Sequence, residues 1–313
     1  MIDWKTPELS DIPAMQRAAE EARAMGSDAN AANIFLLREK YNIKIAFAAG
    51  ALVRLYTGTR LEGRGGITFP LGGNTEKALE ILESDCAERE KPERFIFLTD
   101  EQRDIAAAHY PAMVFDTADG NSDYTYTAEH LSLLKGKENE KKRNRVSRFK
   151  REYPDMEIRF SDDEPAGVLK DTLPSDMICV EEKWFALQEE RPDSSFLERI
   201  EIYEACKYWD ELGLLGAVIY VADKPVAMTM ASKTSEGVYD IHFEKCYGEY
   251  AQAGGFAAIN KLFAEHLVEK YGAQWINREE DIGLEGLRRA KMAYRPDMML
   301  EKYHTVKQVD QIR

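Results

Sequence analysis

Short strand-like runs and longer helical runs alternate along this chain in an order that occurs twice, which restricts the fold more than any single motif. The first half has helical patterns near Ile12 to Met25 and Ala29 to Tyr41, with Ser27 and Asp28 as expected caps of the second. "KIAFAAG" and "ALVRLYT" read as a hairpin about Gly50, and "GITFP" as a third strand. An Asn74-capped helix, the strand "RFIFL", the capped helix "TDEQRDIAAAHY" and the strand "AMVFDTA" complete it. In the second half "MEIRF" is a strand, and helices follow from about Glu164 to Glu189 and from Ser195 to Leu212. A hairpin turning at Asp223–Lys224 comes next, then the strand "GVYDIHFEKC", the helix "GGFAAINKLFAEHLVEKYG", the strand "AQWIN", the helix "GLEGLRRAKMAY" and the strand "MMLEKYHTV". Helix-helix-strand-strand-strand-helix-strand-helix-strand, met twice, predicts an α/β chain (α+β, mixed sheet) built by duplication.

The chain of 313 residues has room for two domains. Hydrophobic residues make up 44% and charged ones 31%, as in globular proteins. A net charge of −14 argues against a nonspecific nucleic-acid coat. Against that background, Lys135 to Arg151 holds nine Lys or Arg and two Glu, about +7, which leaves about −21 for the rest. Val146, Phe149 and Tyr153 recur there at helical spacing, so a packed helix with a fixed basic face is expected. The expected domains are 1–134, a linking basic helix 135–153, and 154–313. The longest apolar run, Leu212 to Ala222, is too short for a bilayer, and "MIDWKTPELS" lacks a leader's apolar segment. Four scattered cysteines predict no disulfide, and no metal-ligand spacing stands out. A cytoplasmic protein without integral membrane contact is the expectation.

The stretch "YDIHFEKCYGEYAQAGGFAAINKLF" carries the chemistry. Strand alternation puts His242 and Glu244 on one face and Ile241, Phe243 and Lys245 on the other. Gln252, Ala253, Gly254, Gly255, Phe256 and Ala257 then open a helix, where glycines admit a close ligand and free N–H groups hold phosphate oxygens. Glu244 just before such a loop is placed as a general base, with His242 assisting. "INREED" is the second candidate. Asn277 ends its strand, Arg278, Glu279 and Asp281 are expected to face substrate, and Glu280 to face solvent. Asp281 and Glu285 also suit a helix N-terminus through its dipole, so that reading stays open. Tyr124 and Tyr126, before the basic helix, are candidates to line a groove.

Strand, Q-x-x-G-x-A, helix, strand resembles the acyl-donor loop of the Gcn5-related N-acetyltransferase (GNAT) fold, with Gln252, Gly255 and Ala257 at the motif positions. "FPLGGNTEKAL" in the first half lacks the Gln or Arg, so the first copy reads as having no donor site. "DYTYTAEHLSLLKGKENEKKRNRVSRFKREYP", "HFEKC", "YAQAGGFAAINKLFAEHL" and "INREEDIGLEGLRRAKMAYRPDMMLEKY" together resemble bacterial tandem acetyltransferase-fold proteins. That family is similar to the C-terminal domain of phosphatidylglycerol lysyltransferases and to Fem-type aminoacyltransferases. The resemblance implies two tandem GNAT domains with a cleft between them. It also implies transfer of an acyl or aminoacyl group from a coenzyme A thioester or charged tRNA to a small-molecule or peptide amine or hydroxyl. No tightly bound cofactor and no metal is implied, and Lys141, Lys142, Arg143 and Arg145 become candidate contacts to a tRNA acceptor stem or nucleotide phosphate. This chain departs from the pattern at the general-acid tyrosine, where Arg288 and Arg289 stand and Tyr294 lies toward the helix end. A binding module that holds a nucleotide or anion without chemistry is the alternative.

Overall fold

The computed structural model describes residues 1–58, 65–89, 94–163, 168–188 and 193–306. The expected ends of one helix, at Glu164 and Glu189, lie outside those residues. The chain divides into two compact units that are not its two halves. The first comprises Met1–Tyr124, Glu279–Met292 and Met298–Arg313, and the second Thr125–Arg278 and Ala293–Asp297. The expected borders at 134 and 154 therefore give way to a crossing at Tyr124, and the C-terminal segments return to the first unit.

From the N-terminus come α1 (Ile12–Glu21) and α2 (Ala31–Leu36). The helix-start residue of α2 is Asn30, whose side chain accepts from the amides of Ala32 at 2.9 Å and Asn33 at 3.2 Å. Ser27 and Asp28 do not cap it, because they are drawn into an ion cluster described below. Strands β1 (Ile43–Ala48) and β2 (Ala51–Tyr56) pair antiparallel about Ala49 and Gly50, both left-handed, as a tight hairpin demands. β3 (Gly66–Ile67) adds a short third strand to β2. α3 (Thr75–Glu88) carries the chain back, and Phe95 then pairs parallel with Ile67 through a single bridge. α4 (Asp100–His109) and β4 (Val114–Thr117) follow. Val53, Phe69, Leu79, Leu82, Phe95 and Leu98 form the core of this unit.

β5 (Asp123–Thr127) leads into α5 (Ala128–Leu133) and the basic helix α6 (Glu140–Glu152). β6 (Glu157–Phe160), α7 (Val168–Ala186) and α8 (Asp193–Lys207) precede the long strands β7 (Leu214–Val221), β8 (Lys224–Ser235) and β9 (Val238–Cys246). The β7–β8 turn centres on Ala222 and Asp223, both left-handed, one residue before the expected Asp223–Lys224. Then come α9 (Gly248–Ala253), α10 (Gly255–Tyr271) and β10 (Trp275–Asn277). In this unit the strands run β5-β10-β9-β8-β7-β6, all antiparallel except β9 with β10. That parallel pair requires a crossover, and α10 supplies it, burying Ile259, Phe263 and Leu267. α11 (Glu285–Met292), β11 (Met298–Leu300) and β12 (Tyr303–Val306) end the described chain. The expected last strand is thus split at Glu301–Lys302, and β12 pairs antiparallel with β4. Among the described residues no helix is long and apolar enough to cross a membrane.

Candidate functional site

In the second unit, Glu244 on β9 meets two partners, one on α10 and one just after β10. Its Oε1 accepts from Arg278 Nη2 at 3.0 Å and its Oε2 from Asn260 Nδ2 at 3.1 Å. Arg278 follows β10, and its guanidinium carbon lies 4.9 Å from the centre of the Tyr294 ring. Lys142, on the buried side of α6, places its Nζ 3.5 Å from the same centre. Burial, with Arg278 and Arg145 adding, pushes the Lys142 ammonium down to about 8, and burial pushes the Tyr294 hydroxyl up to about 12. Glu244 and Arg278, read separately as a general base and a substrate-facing residue, are brought together, and both carboxylate oxygens of Glu244 are already engaged.

His242 is not part of that group. β9 carries a bulge there: Phe243 pairs with Met230 and Ile241 with Ala231, which leaves His242 as the extra residue. Its Nε2 lies 2.8 Å from Ser232 Oγ, and its Nδ1 stands 3.8 Å from Asp240, too far for a hydrogen bond. Lys245 faces away, pairing with Glu198 of α8 at 2.7 Å and lying 3.6 Å from the Trp184 ring centre. It is a packing cation between α8 and the sheet. Asn277 is fully buried in β10, opposite Thr125 and Asp240.

The glycine loop differs from expectation. Ala253, Gly254, Gly255 and Ala257 are buried, Phe256 is half-buried and Gln252 is exposed. A Cβ on Gly254 would stand 2.5 Å from the Arg145 carbonyl oxygen, and one on Gly255 2.5 Å from Cys246 Sγ. Gly254 is also left-handed, at φ 116°. These glycines let α6 and β9 press onto the start of α10, so the loop serves as a packing joint. Of the basic helix, Lys141 and Arg145 are exposed, whereas Arg143 turns back to the carbonyls of Leu134 and Gly136 and closes the α5–α6 loop.

In the first unit the acidic stretch separates residue by residue. Glu279 takes a left-handed φ of 57°, and its Oε1 accepts from Asn33 Nδ2 at 2.8 Å. Glu280, expected in solvent, turns toward Lys302 at 3.6 Å. Lys302 also donates to Ser27 Oγ at 2.9 Å and pairs with Asp123 and Asp28. Asp123 in turn accepts from the Ser27 amide at 2.8 Å, and Arg54 of β2 pairs with Asp28 at 3.1 Å. Burial would lower the Lys302 ammonium, but Asp123, Glu280 and Asp28 hold it well above its ordinary value. Burial raises the Glu280 carboxyl, and Asp123 and Glu279 add to that against Lys302.

Asp281 does not face substrate. It is buried, accepts from Tyr124 Oη at 2.6 Å, from the Gly283 amide at 2.8 Å and from Arg288 Nε at 2.9 Å. The Arg288 guanidinium, with those two hydrogen bonds, holds its carboxyl down to about 2, while burial and Asp281 push the Tyr124 hydroxyl up to about 12. Both are loop clamps. A cavity of about 290 Å³ opens beside Glu279 and Glu280, with Asp28, Asn33 and Lys302 among its other polar walls and Tyr41, Tyr56 and Phe97 among its aromatic ones. Of these, only Glu279 was anticipated as a site residue. Asp28 looked like a cap, Asn33 and Tyr41 like helix residues and Lys302 like a strand residue. The one available signal was the charge density of "REED" itself.

A mixed α/β fold with a parallel crossover in its second unit is shared with other solved structures. Residues 20–306 match the family described as phosphatidylglycerol lysyltransferase, C-terminal, and the chain belongs to that family. Three solved structures are similar over almost the whole chain. A conserved protein of unknown function from Bacteroides thetaiotaomicron is 27% identical, with a TM-score of 0.87, covering 98% of this chain and 100% of that one. The C-terminal domain of a putative lysylphosphatidylglycerol synthetase from Agrobacterium fabrum is 14% identical, with a TM-score of 0.65 over 96% and 92%. L-PGS from Bacillus licheniformis is 13% identical, with a TM-score of 0.64 over 98% and 94%. No curated protein matches the chain.

Proposed function

We propose that this protein is an aminoacyltransferase that moves an aminoacyl group from charged tRNA to an amine or hydroxyl. The observation that carries the reading is the carboxylate wall of the first unit's cavity, where Glu279 stands beside Glu280 and Asp28, the latter two sharing Lys302, in a space also walled by Tyr41, Tyr56 and Phe97. An aminoacyl group bears an ammonium that such a wall attracts, whereas the acetyl group of a coenzyme A thioester bears none. Membership of the lysyltransferase family supports the same choice. Glu279, aimed by Asn33, receives the α-ammonium. Glu280, its carboxyl raised by burial, takes the proton as the acceptor's N–H or O–H attacks the ester carbon. The tetrahedral intermediate then collapses, the ester C–O bond breaks, and the tRNA 3′-oxygen leaves with a proton.

The test is transfer from tRNA charged with labelled amino acid to a panel of amines and hydroxy compounds, followed by mass spectrometry of the product. Glu279→Gln is expected to raise KM for the donor about tenfold or more, and Glu280→Gln to lower kcat about a hundredfold. Unchanged kinetics in both variants would remove the cavity from the mechanism. A second reading, binding without chemistry, draws on Glu244, whose two oxygens are both occupied. Saturable binding of charged tRNA with no product across the panel is its signature.

A further inference from the structure

The second unit gathers more positive charge around the Tyr294 ring than it neutralises. Lys142 and Arg278 share that ring, at 3.5 and 4.9 Å from its centre, and Arg145, exposed on the same helix as Lys142, adds its charge against the Lys142 ammonium. Against these three stands Glu244. One of its oxygens is committed to Arg278 Nη2 and the other to Asn260. Arg278 Nη1 is buried and has no hydrogen-bond partner among the described residues. A buried guanidinium N–H without an acceptor is costly, and a cluster with surplus cations attracts an anion.

We infer that Lys142, Arg145 and Arg278 are the seat of a phosphate oxyanion. One phosphate oxygen accepting from Arg278 Nη1, with Lys142 Nζ and Arg145 contributing charge, supplies what the cluster lacks. Arg143 falls outside the seat, spent on loop carbonyls. The inference rests on the aminoacyl-transfer reading in one respect, that the donor brings phosphates. It moves their contact from the glycine loop to α6 and the residue that follows β10. The chemistry is shared by a nucleotide pyrophosphate and an RNA acceptor end.

The experiment is isothermal titration of the full chain with inorganic pyrophosphate in one arm and a short RNA hairpin with a single-stranded 3′ end in the other. Saturable binding is expected in at least one arm. Lys142→Met and Arg278→Lys should each weaken it about tenfold or more, since each removes a charge-assisted contact. Arg148→Ala, which removes an exposed charge from the same helix, should leave it unchanged. Pyrophosphate binding alone assigns the seat to a nucleotide, and tighter hairpin binding assigns it to RNA. No saturable binding in either arm, or equal weakening in Arg148→Ala, overturns the proposal. Should the variants fail to fold, the wild-type Lys142 side-chain resonance decides. Its pKa must rise when the binding ligand saturates the protein, and an unmoved value overturns the seat. Binding without any aminoacyl transfer would leave the seat standing while the functional reading falls, and transfer without binding would do the reverse.

Discussion

The first unit gathers acids beside a cavity, while the second gathers cations around one aromatic ring. In both a strand is followed by a helix and a parallel partner: β9 with β10 across α10, Ile67 with Phe95 across α3. In the second unit that crossover is a three-residue ladder in a sheet of long strands, whereas in the first it is one bridge. The stronger sheet holds Glu244, Arg278 and Asn260 to fixed partners. In the first unit Phe97 is left-handed and lines the cavity. Regular pairing fixes a polar cluster, and irregular pairing makes room beside one.

The comparison breaks most readily at Lys302. Lys302→Met leaves Asp123, Asp28 and Glu280 without their shared cation, and a loss of about 3–5 kcal/mol in denaturant-measured stability is expected. Asp123→Asn combined with Lys302→Met should recover part of it, and additive losses would show that no cluster exists. In the second unit the sensitive position is steric. Gly254→Ala meets the Arg145 carbonyl in a left-handed backbone, so about 2–4 kcal/mol is expected. Gly272→Ala, equally left-handed but with nothing within 4 Å, should cost about 1 kcal/mol, and equal melting shifts would refute the packing account.

Two pH profiles sharpen the contrast between paired and unpaired acids. Asp281 is held down to about 2, so its stabilisation is complete above the ordinary aspartate pKa and is lost as pH falls through about 2. Asp281→Asn should therefore cost about 1–2 kcal/mol at neutral pH, a difference that closes between about pH 4 and 2. Glu181 on α7 is buried with neither oxygen hydrogen-bonded among the described residues, and burial raises it to about 7. A raised carboxyl contributes most below its unfolded pKa and loses that contribution as pH rises through 7. Glu181→Gln is expected to be neutral at pH 5 and stabilising by about 1 kcal/mol at pH 8. A flat difference would return Glu181 to an ordinary environment.

Much of the fold was legible because apolar spacing reports elements directly. The hairpin at Gly50, the basic helix with Val146 and Phe149 inward, and α10 ended by Gly272 all follow from local pattern. The division into units was not legible, because it depends on where Glu279–Met292 and Met298–Arg313 return, a long-range choice with no local signature. Within the candidate sites, Glu244 was singled out by its place on a strand and Arg278 by the charge density that follows one. Lys245, Asp281 and the glycine loop were misjudged for one reason. Charge and flexibility mark a residue as interesting without saying whether protein or ligand answers it. Alternation also failed at His242, where a bulge adds a residue that no sequence spacing reveals.

The left-handed backbone at Glu279 has a consequence for anyone probing this cavity by mutation. Side chains with a branched Cβ are strained in that conformation, and Gly, Asn and Asp tolerate it best. A saturation library at 279 would therefore rank variants by backbone comfort as much as by cavity chemistry, and Val or Thr would score as inactive for reasons unrelated to charge. Glu279→Gln and Glu279→Asn separate the two: Gln keeps the length and the backbone preference while removing the charge, and Asn eases the backbone while also removing it. Only a defect common to both belongs to the missing carboxylate.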